Sequence, residues 1–273
     1  LCICDTSIEP YWNLAAEEYL LKEFNEPVFR LWRNDNAIIV GCNQNTLAEI
    51  DTGYVNEHNI KVVRRLTGGG AVFHDLGNLN YTFIEPRNTS SAERIQAHGE
   101  SDSTTSHNSK ADNPVEMFRK FTAPIIAALN SLGVNAALVG RNDLLIDGRK
   151  FSGNAICIHR DRILQHGTLL FSSSIGNLSG ALQVREEKFS GRAVKSNRSR
   201  VTNISEHLSE KMDITQFMEY LRSFIGKECI PYEYTAYDIE GIDRLCETAQ
   251  TFGFNENFKF GDYMVYNSQF PTS

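Results

Sequence analysis

The chain has 273 residues, 41% of them hydrophobic and 22% charged, with a formal net charge of −7 at pH 7. That is enough chain for one large core, or for a large domain with a small companion. The acidic balance excludes a protein that adheres to nucleic acid or to an anionic membrane by bulk charge.

From the N-terminus, WNLAAEEYLLKEF places Trp12, Ala15, Ala16, Tyr19, Leu20 and Phe24 near helical spacing, which predicts an amphipathic first helix. Short β-rich runs follow at 28–32, 37–41, 61–65, 71–74 and 79–84. Strands this close together, with no helix between each, favour an antiparallel or mixed sheet over a doubly wound one. Residues 86–114 are polar, rich in Ser, Thr, Asn and Asp, and without hydrophobic period, so they read as a long surface loop of disordered type. A helix resumes in VEMFRKFTAPIIAALNSLG, with Phe118, Phe121, Ile125, Ala128, Leu129 and Leu132 on one stripe and Gly133 as its stop; Pro124 inside it marks a kink or a start. Then come ALVG, a hairpin and RILQHGTLLF. Beyond Ser172 the chain is polar and basic from 183 to 203, a helix is expected in MDITQFMEYLRSFIG, and the tail reads as loop-rich after Pro231. The division expected is a main domain over 1–204 and a weakly separated small C-terminal lobe over 205–273.

No apolar run approaches the ~20 residues of a membrane span, and LCICDTSIEP has no basic region ahead of an apolar one. A cytoplasmic location and no membrane partner are expected. Cys2, Cys4, Cys42, Cys157, Cys229 and Cys246 lack CxxC spacing and lie mostly in apolar runs, which predicts buried reduced thiols, neither a disulfide framework nor a zinc site.

The hairpin DLLIDGRKFSGNA is the first stretch that suggests chemistry. Asp147-Gly148 suits a two-residue turn in which both positions need positive φ. Strict alternation then pairs Ile146 with Arg149, Leu145 with Lys150, Leu144 with Phe151 and Asp143 with Ser152. Asp143, Leu145, Lys150, Ser152 and Asn154 fall on one face, and an acid, a lysine, a hydroxyl and an amide together resemble the wall of a site. Taken alone, the same pair reads as a solvated edge contact of ~0–1 kcal/mol.

RRLTGGGAVFHD shifts the balance. Three successive glycines between strands let the backbone approach a ligand and present N–H groups to an anion, although no GK[ST] or helix-opening GxGxxG accompanies them. Arg64 and Arg65 point to opposite strand faces, so one lies at the loop mouth, and arginine suits a forked grip on phosphate or carboxylate. Between 185 and 200, Arg185, Lys188, Arg192, Lys195, Arg198 and Arg200 stand against Glu186 and Glu187, a local excess of +4. That suggests an anion-facing flap or a dock for an acidic partner.

In this order RRLTGGGAVFHDLGNLNYTF, GRNDLLIDGRKFSGNA, HGTLLF and SRVTNI, with WNLAAEEYLL and LWRNDNAIIVGCNQN upstream, resemble the lipoate-protein ligase A branch of the biotin/lipoate ligase superfamily, over about residues 8–204. The resemblance implies an α+β fold like the catalytic domain of class II synthetases, with a central mixed, mainly antiparallel sheet flanked by helices. It implies an ATP-dependent ligase that makes lipoyl-AMP from lipoate and Mg-ATP and passes the lipoyl group to one lysine of an apo carrier, such as the glycine-cleavage H protein or a 2-oxoacid dehydrogenase E2 lipoyl domain. Lys150 is then the catalytic residue. Arg65, Gly70, Ala71, Val72, Phe73, His74, Asn78, Asp143 and His166 bind ATP or lipoate, with Asp143 also the ligand for Mg²⁺, and 183–200 is the adenylate-binding flap. Departures are Cys42 where many relatives are basic, the long 86–114 insertion, and the absence of the accessory C-terminal domain.

Two rivals remain at this point. An octanoyltransferase or lipoyltransferase of the same fold would use a cysteine thioester without ATP, with Cys157 as nucleophile; unless Gly153 introduces a bulge, alternation sends Cys157 to the face opposite Lys150 and makes it a core thiol. A noncatalytic lipoate-binding protein would keep the fold without turnover.

Overall fold

The computed structural model describes residues 1–87, 113–175, 182 and 200–252. Most of the polar 86–114 loop and the 183–199 segment of the expected flap lie outside them. In chain order the elements are β1 (Cys2–Cys4), α1 (Pro10–Glu23), β2 (Val28–Trp32), β3 (Ala37–Val40), α2 (Thr46–Glu49), α3 (Thr52–Glu57), β4 (Lys61–Arg64), β5 (Val72–His74), β6 (Asn78–Pro86), α4 (Pro114–Ser131), β7 (Ala136–Val139), β8 (Asp143–Ile146), β9 (Arg149–His159), β10 (Arg162–Leu170), α5 (Ile214–Ile225) and α6 (Ala236–Phe252).

The expected α+β architecture is present, but among the described residues the strands form two sheets and not one. The larger runs β1-β2-β6-β10-β9-β8-β7, antiparallel except for the β1–β2 pair. The smaller runs β4-β3-β5, parallel between β3 and β4 and antiparallel between β3 and β5. Among the described residues no helix is long and apolar enough to cross a membrane.

The alternation in β6 explains how the larger sheet serves two purposes. Leu79, Tyr81 and Phe83 turn to one face and join Leu169 and Phe171 in a core closed by Phe121 and Ile125 of α4 and Phe217 and Leu221 of α5. Asn80, Thr82 and Ile84 alternate with them and so turn to the other face. Helix α4 keeps Pro124 in its interior, capped by Asn113, whose side chain accepts from Val115 N, and its apolar stripe is buried as expected. Gly133 ends it with φ 79°.

Helix α1 departs from the amphipathic expectation. Asn13, Glu17 and Glu18 are as buried as Leu14, Ala15, Ala16, Leu20 and Leu21. Leu14 packs with Trp32, Ile39 and Val63, whereas Leu20 and Leu21 pack with Val28, Ile84 and Leu164. Ala15, Ala16 and Tyr19 face Ile242 and Cys246 of α6. Enclosed by both sheets and another helix, α1 keeps little solvent face, and its buried Asn13 and Glu17 bond to partners on the strands and loops around it.

The tail is helical where loop was expected. In α6 only a narrow stripe docks on α1, and Gly241, which reads as a breaker in sequence, is where the helices touch: a Cβ there would lie 2.3 Å from the Tyr19 ring. Helix α5 opens on a capping box made by Asp213 and Gln216. Its Phe217 and Leu221 enter the main core, and Pro231 bridges to Cys2 of β1.

Gly167 occupies the centre of the larger sheet, where a Cβ would meet Asn154 Oδ1 at 2.2 Å and the Tyr81 ring at 2.7 Å. Gly167→Ala is expected to lower unfolding stability by ~1–3 kcal/mol with an unchanged denaturant slope, read from urea titration.

Candidate functional site

The hairpin turn is as expected: Asp147 and Gly148 have φ 49° and 75°, and Leu145 pairs with Lys150 and Ile146 with Arg149. Beyond that the register slips. Leu144 pairs with Ser152 and Asp143 with Gly153, so Phe151 is the extra residue of a β-bulge. Phe151 and Ser152 both turn inward, 0% and 1% exposed. The expected quartet is therefore divided. Asp143 and Lys150 still share a face, with Lys150 Nζ 2.8 Å from Asp143 Oδ1. Ser152 and Asn154 do not join them: Asn154 receives Tyr81 Oη and Gln165 Nε2 on its Oδ1 at 2.5 and 2.8 Å. Gly153 takes the place beside the ammonium, and a Cβ there would touch Lys150 Cε and Nζ at 3.3 Å. The bulge also corrects the reading of Cys157. Period-2 alternation from Gly153 and Ala155 puts it on the face of Lys150, where it pairs with Leu164 and packs against the cluster that holds Leu164 and Ile84. Burial raises its thiol pKa, which disfavours a thiolate nucleophile.

Lys150 is held from both sides. Its backbone N–H donates to Arg200 O at 2.8 Å and its carbonyl accepts from Thr202 N at 3.0 Å. Its side chain is 28% exposed and stands at the rim of a cavity of about 670 Å³, a size common for small-molecule sites. The walls are the glycine loop Gly68–Ala71, the hairpin at Asp143, Lys150 and Gly153, and the floor at Trp32, His74, Asn80 and His166. Of the predicted residues, Arg65, Gly70, Ala71, Val72, His74, Asp143, Lys150 and His166 line this cavity. Phe73 and Asn78 do not: Phe73 turns into the core of the smaller sheet with Ile38 and Val62, and Asn78 donates to Asn80 Oδ1. Alternation along β5 is the reason for Phe73, since its neighbours Val72 and His74 take the cavity side; Asn78 shares the face of Asn80, to which its side chain is bonded.

One of Arg64 and Arg65 is expected at the loop mouth, gripping an anion. Each is instead occupied with protein oxygens. Arg64 donates to Gly41 O, Gln44 O and Thr46 Oγ1. Arg65 donates to Ile39 O at 3.0 Å, Gly68 O at 2.7 Å, Gly70 O at 2.8 Å and Thr67 Oγ1 at 2.9 Å. Burial pushes the Arg65 guanidinium down to about 10, so it stays charged at neutral pH and no carboxylate bonds it directly among the described residues. It shapes the loop and leaves positive potential beneath it.

Sequence reasoning missed the buried chain that continues from Thr67. Thr67 Oγ1 lies 2.7 Å from His166 Nε2, and His166 Nδ1 lies 3.0 Å from Glu17 Oε2. Thr82 Oγ1 donates to Glu17 Oε1 and itself accepts from Trp32 Nε1 at 2.9 Å. Burial acts to raise the Glu17 pKa, yet the charge and hydrogen bond of His166, Arg30 and Thr82 outweigh it and hold the carboxyl below its usual range. The signal in the sequence was two polar residues four apart, Asn13 and Glu17, among the apolar residues of the first helix.

His74 is 3% exposed, and burial, then the nearby charges of Arg65 and His166, push its pKa down to about 3. An unfolded imidazole titrates near 6.5, so between these values the unfolded chain binds the extra proton. Stability is complete above pH ~6.5 and falls as pH falls, by ~1.4 kcal/mol per unit within that window. Acidifying from pH 6.5 to 5 is expected to lower the melting temperature of the protein more than that of His74→Gln; equal slopes in scanning calorimetry would contradict this.

For a metal, the fit is narrow. Among the described residues no group of three or more His, Cys, Asp and Glu side chains could hold an ion. Asp143 is a single oxygen donor at the rim, which suits a hard cation that brings its remaining ligands with it.

Comparison with known proteins gives a consistent result. Residues 9–225 match the lipoyl protein ligase A/B catalytic domain. The chain is 46% identical over 215 residues to lipoate-protein ligase LplJ of Bacillus subtilis, covering 78% of this chain and 58% of that protein. It is 40% identical over 261 residues to lipoate–protein ligase 1 of Staphylococcus aureus, covering 92% of this chain and 73% of the relative. The fold matches, at a TM-score of 0.72 and 23% identity over 95% of both chains, a bipartite lipoate protein ligase of Thermoplasma acidophilum described with its E2 lipoyl domain.

Proposed function

The chain belongs to the lipoyl protein ligase A/B catalytic domain family, and from that premise we propose that it is an ATP-dependent lipoate-protein ligase. Lipoate and ATP give lipoyl-AMP and pyrophosphate, and the lipoyl group then passes to one lysine of an apo carrier. The observation that carries this reading is Lys150, an ammonium fixed at the cavity rim by Asp143 and facing the Gly68–Ala71 loop across the space a small ligand would fill.

In the first step a carboxylate oxygen of lipoate attacks the α-phosphorus of ATP, the P–O bond to pyrophosphate breaks, and negative charge grows on the phosphoryl oxygens. In the second, the uncharged amine of the carrier lysine attacks the acyl carbon, charge grows on the carbonyl oxygen, and AMP departs as the nitrogen gives up one proton to solvent. One ammonium between acyl group and phosphate stabilises charge in both transition states, because it is stronger there than in the ground state. Asp143 would supply one oxygen to a Mg²⁺ bound with ATP, which would offset the charge of the phosphates. The Arg65 guanidinium beneath the glycine loop adds fixed positive charge near the phosphates, and Gly70, Ala71, Val72 and His74 form the adjoining wall. Leu14, Trp32 and Ile39 give the cavity an apolar inner surface suited to a dithiolane tail.

The carriers on this reading are the glycine-cleavage H protein and E2 lipoyl domains, and the chain works in the cytoplasm. Residues 183–200 serve as the adenylate-binding flap, its end fixed to Lys150 through Arg200 and Thr202. Residues 1–204 act as the catalytic unit, with the remainder a small C-terminal lobe.

The test is the purified chain with lipoate, Mg-ATP and an apo H protein. Pyrophosphate release and a lipoylated carrier lysine are expected, with Lys150→Ala slowing both by ~100- to 1000-fold. Transfer from an octanoyl donor without ATP, lost in Cys157→Ser, would overturn the reading in favour of a thioester enzyme.

A further inference from the structure

We propose that His74 is a substrate-binding residue whose Nε2–H donates to an anionic oxygen of the ligand, a carboxylate or a phosphate, and that Asn34 is the positioning residue that keeps the proton on that nitrogen. This rests on the cavity being the ligase site.

The proton's position is fixed from a group that can never accept a hydrogen bond. Arg30, 0% exposed, donates from NH2 to Asn13 Oδ1 at 2.9 Å and from NH1 to Asn13 O at 2.9 Å. Asn13 Oδ1 is therefore the acceptor end of that amide. The two protons of its Nδ2 are shared among three acceptors, Ser7 O, Arg33 O and, at 3.0 Å, Asn34 Oδ1. Asn34 is thereby oriented as well, and its Nδ2 points at His74 Nδ1 at 3.1 Å. A ring nitrogen that receives a donor must offer its lone pair, so in the neutral ring the proton sits on Nε2. The depressed pKa of His74 keeps the ring neutral at physiological pH. Asp5, which accepts from Arg30 Nε, anchors the far end of the relay.

The Nε2–H so defined has no hydrogen-bond partner among the described residues, although it is buried and His74 forms part of the cavity wall. An unmet buried donor is costly, and a relay of four ordered side chains that produces one is a feature to be explained. Turning the ring over would set Cδ2–H against the amide donor of Asn34 and lose the bond to Nδ1. Trp32 further restrains the plane, its ring 6.2 Å from the imidazole at 70°. What satisfies the donor is an oxygen on the molecule in the cavity. Lys150 meets that molecule with charge at the rim; His74 meets it with a neutral, directional N–H on the floor.

Long-range proton–nitrogen correlation spectra of the full chain read the tautomer directly. The expected result is an Nε2–H imidazole for His74 at pH 7 whose Nε2 resonance moves on adding lipoate or ATP, the responding ligand identifying the source of the oxygen. Asn34→Asp places an acceptor against Nδ1 and draws the proton there. It is expected to shift the spectrum to the Nδ1–H form and to weaken that ligand about tenfold or more in calorimetry. His74→Gln, whose amide nitrogen reaches the Nε2 position, is expected to bind within about threefold of the parent, and His74→Asn to lose about tenfold. An Nδ1–H or charged ring in the parent, no response to either ligand, or equal binding by the Gln and Asn variants would overturn the proposal. If the parent shows the Nε2–H form but releases no pyrophosphate from lipoate and Mg-ATP, the ligase reading fails and the tautomer relay survives.

Discussion

The arrangement of the site depends on a buried guanidinium. Arg65 sits under the glycine loop and donates to three backbone carbonyls and one hydroxyl, drawing Ile39 of one strand and Gly68 and Gly70 of the loop to a single centre. Removing such a group would leave several buried carbonyls without donors, at a cost of ~1–3 kcal/mol for each unmet partner. The loop is thus fixed from beneath before any ligand arrives, which is the condition under which fixed charges and dipoles stabilise a transition state without reorganising.

From Arg65 the order extends outward through side chains of α1. Thr67 links to His166 and His166 to Glu17, while one helical turn earlier Asn13 links through Asn34 to His74. Both cavity histidines are therefore oriented by residues four apart on one helix. This accounts for the burial of α1: it is a scaffold whose polar residues must be isolated from water for their hydrogen bonds to be directional and strong. Glu17 tolerates full burial because a histidine, a threonine and the field of Arg30 surround it.

The two sheets divide the labour. Alternation in β6 turns Tyr81 and Phe83 toward α4 and α5, and Asn80 and Thr82 toward the cavity side, so one strand serves the core and the site at once. The bulge at Phe151 has a similar effect on β9. It adds one residue to the apolar side, brings Gly153 beside Lys150, and leaves space at the ammonium that any side chain larger than glycine would take.

The sequence by itself determined the elements with local causes: the Asp147-Gly148 turn, the strands of β-branched and aromatic residues, the stripe of α4, and the motif order that carries the family resemblance. Eight of the ten predicted site residues line one cavity, because the motifs lie on contiguous strands and loops. What only the tertiary structure decided was long-range. The bulge that divided the expected face, the burial of Phe73 in the core of the smaller sheet, the hold of Gly41 and Ile39 carbonyls on Arg64 and Arg65, and the helical tail docked through Gly241 depend on contacts between separate elements, up to hundreds of residues apart. Periodicity reports which side of an element is apolar; it carries no information about which distant donor meets which acceptor, and hydrogen bonds of that kind set the chemistry of this cavity.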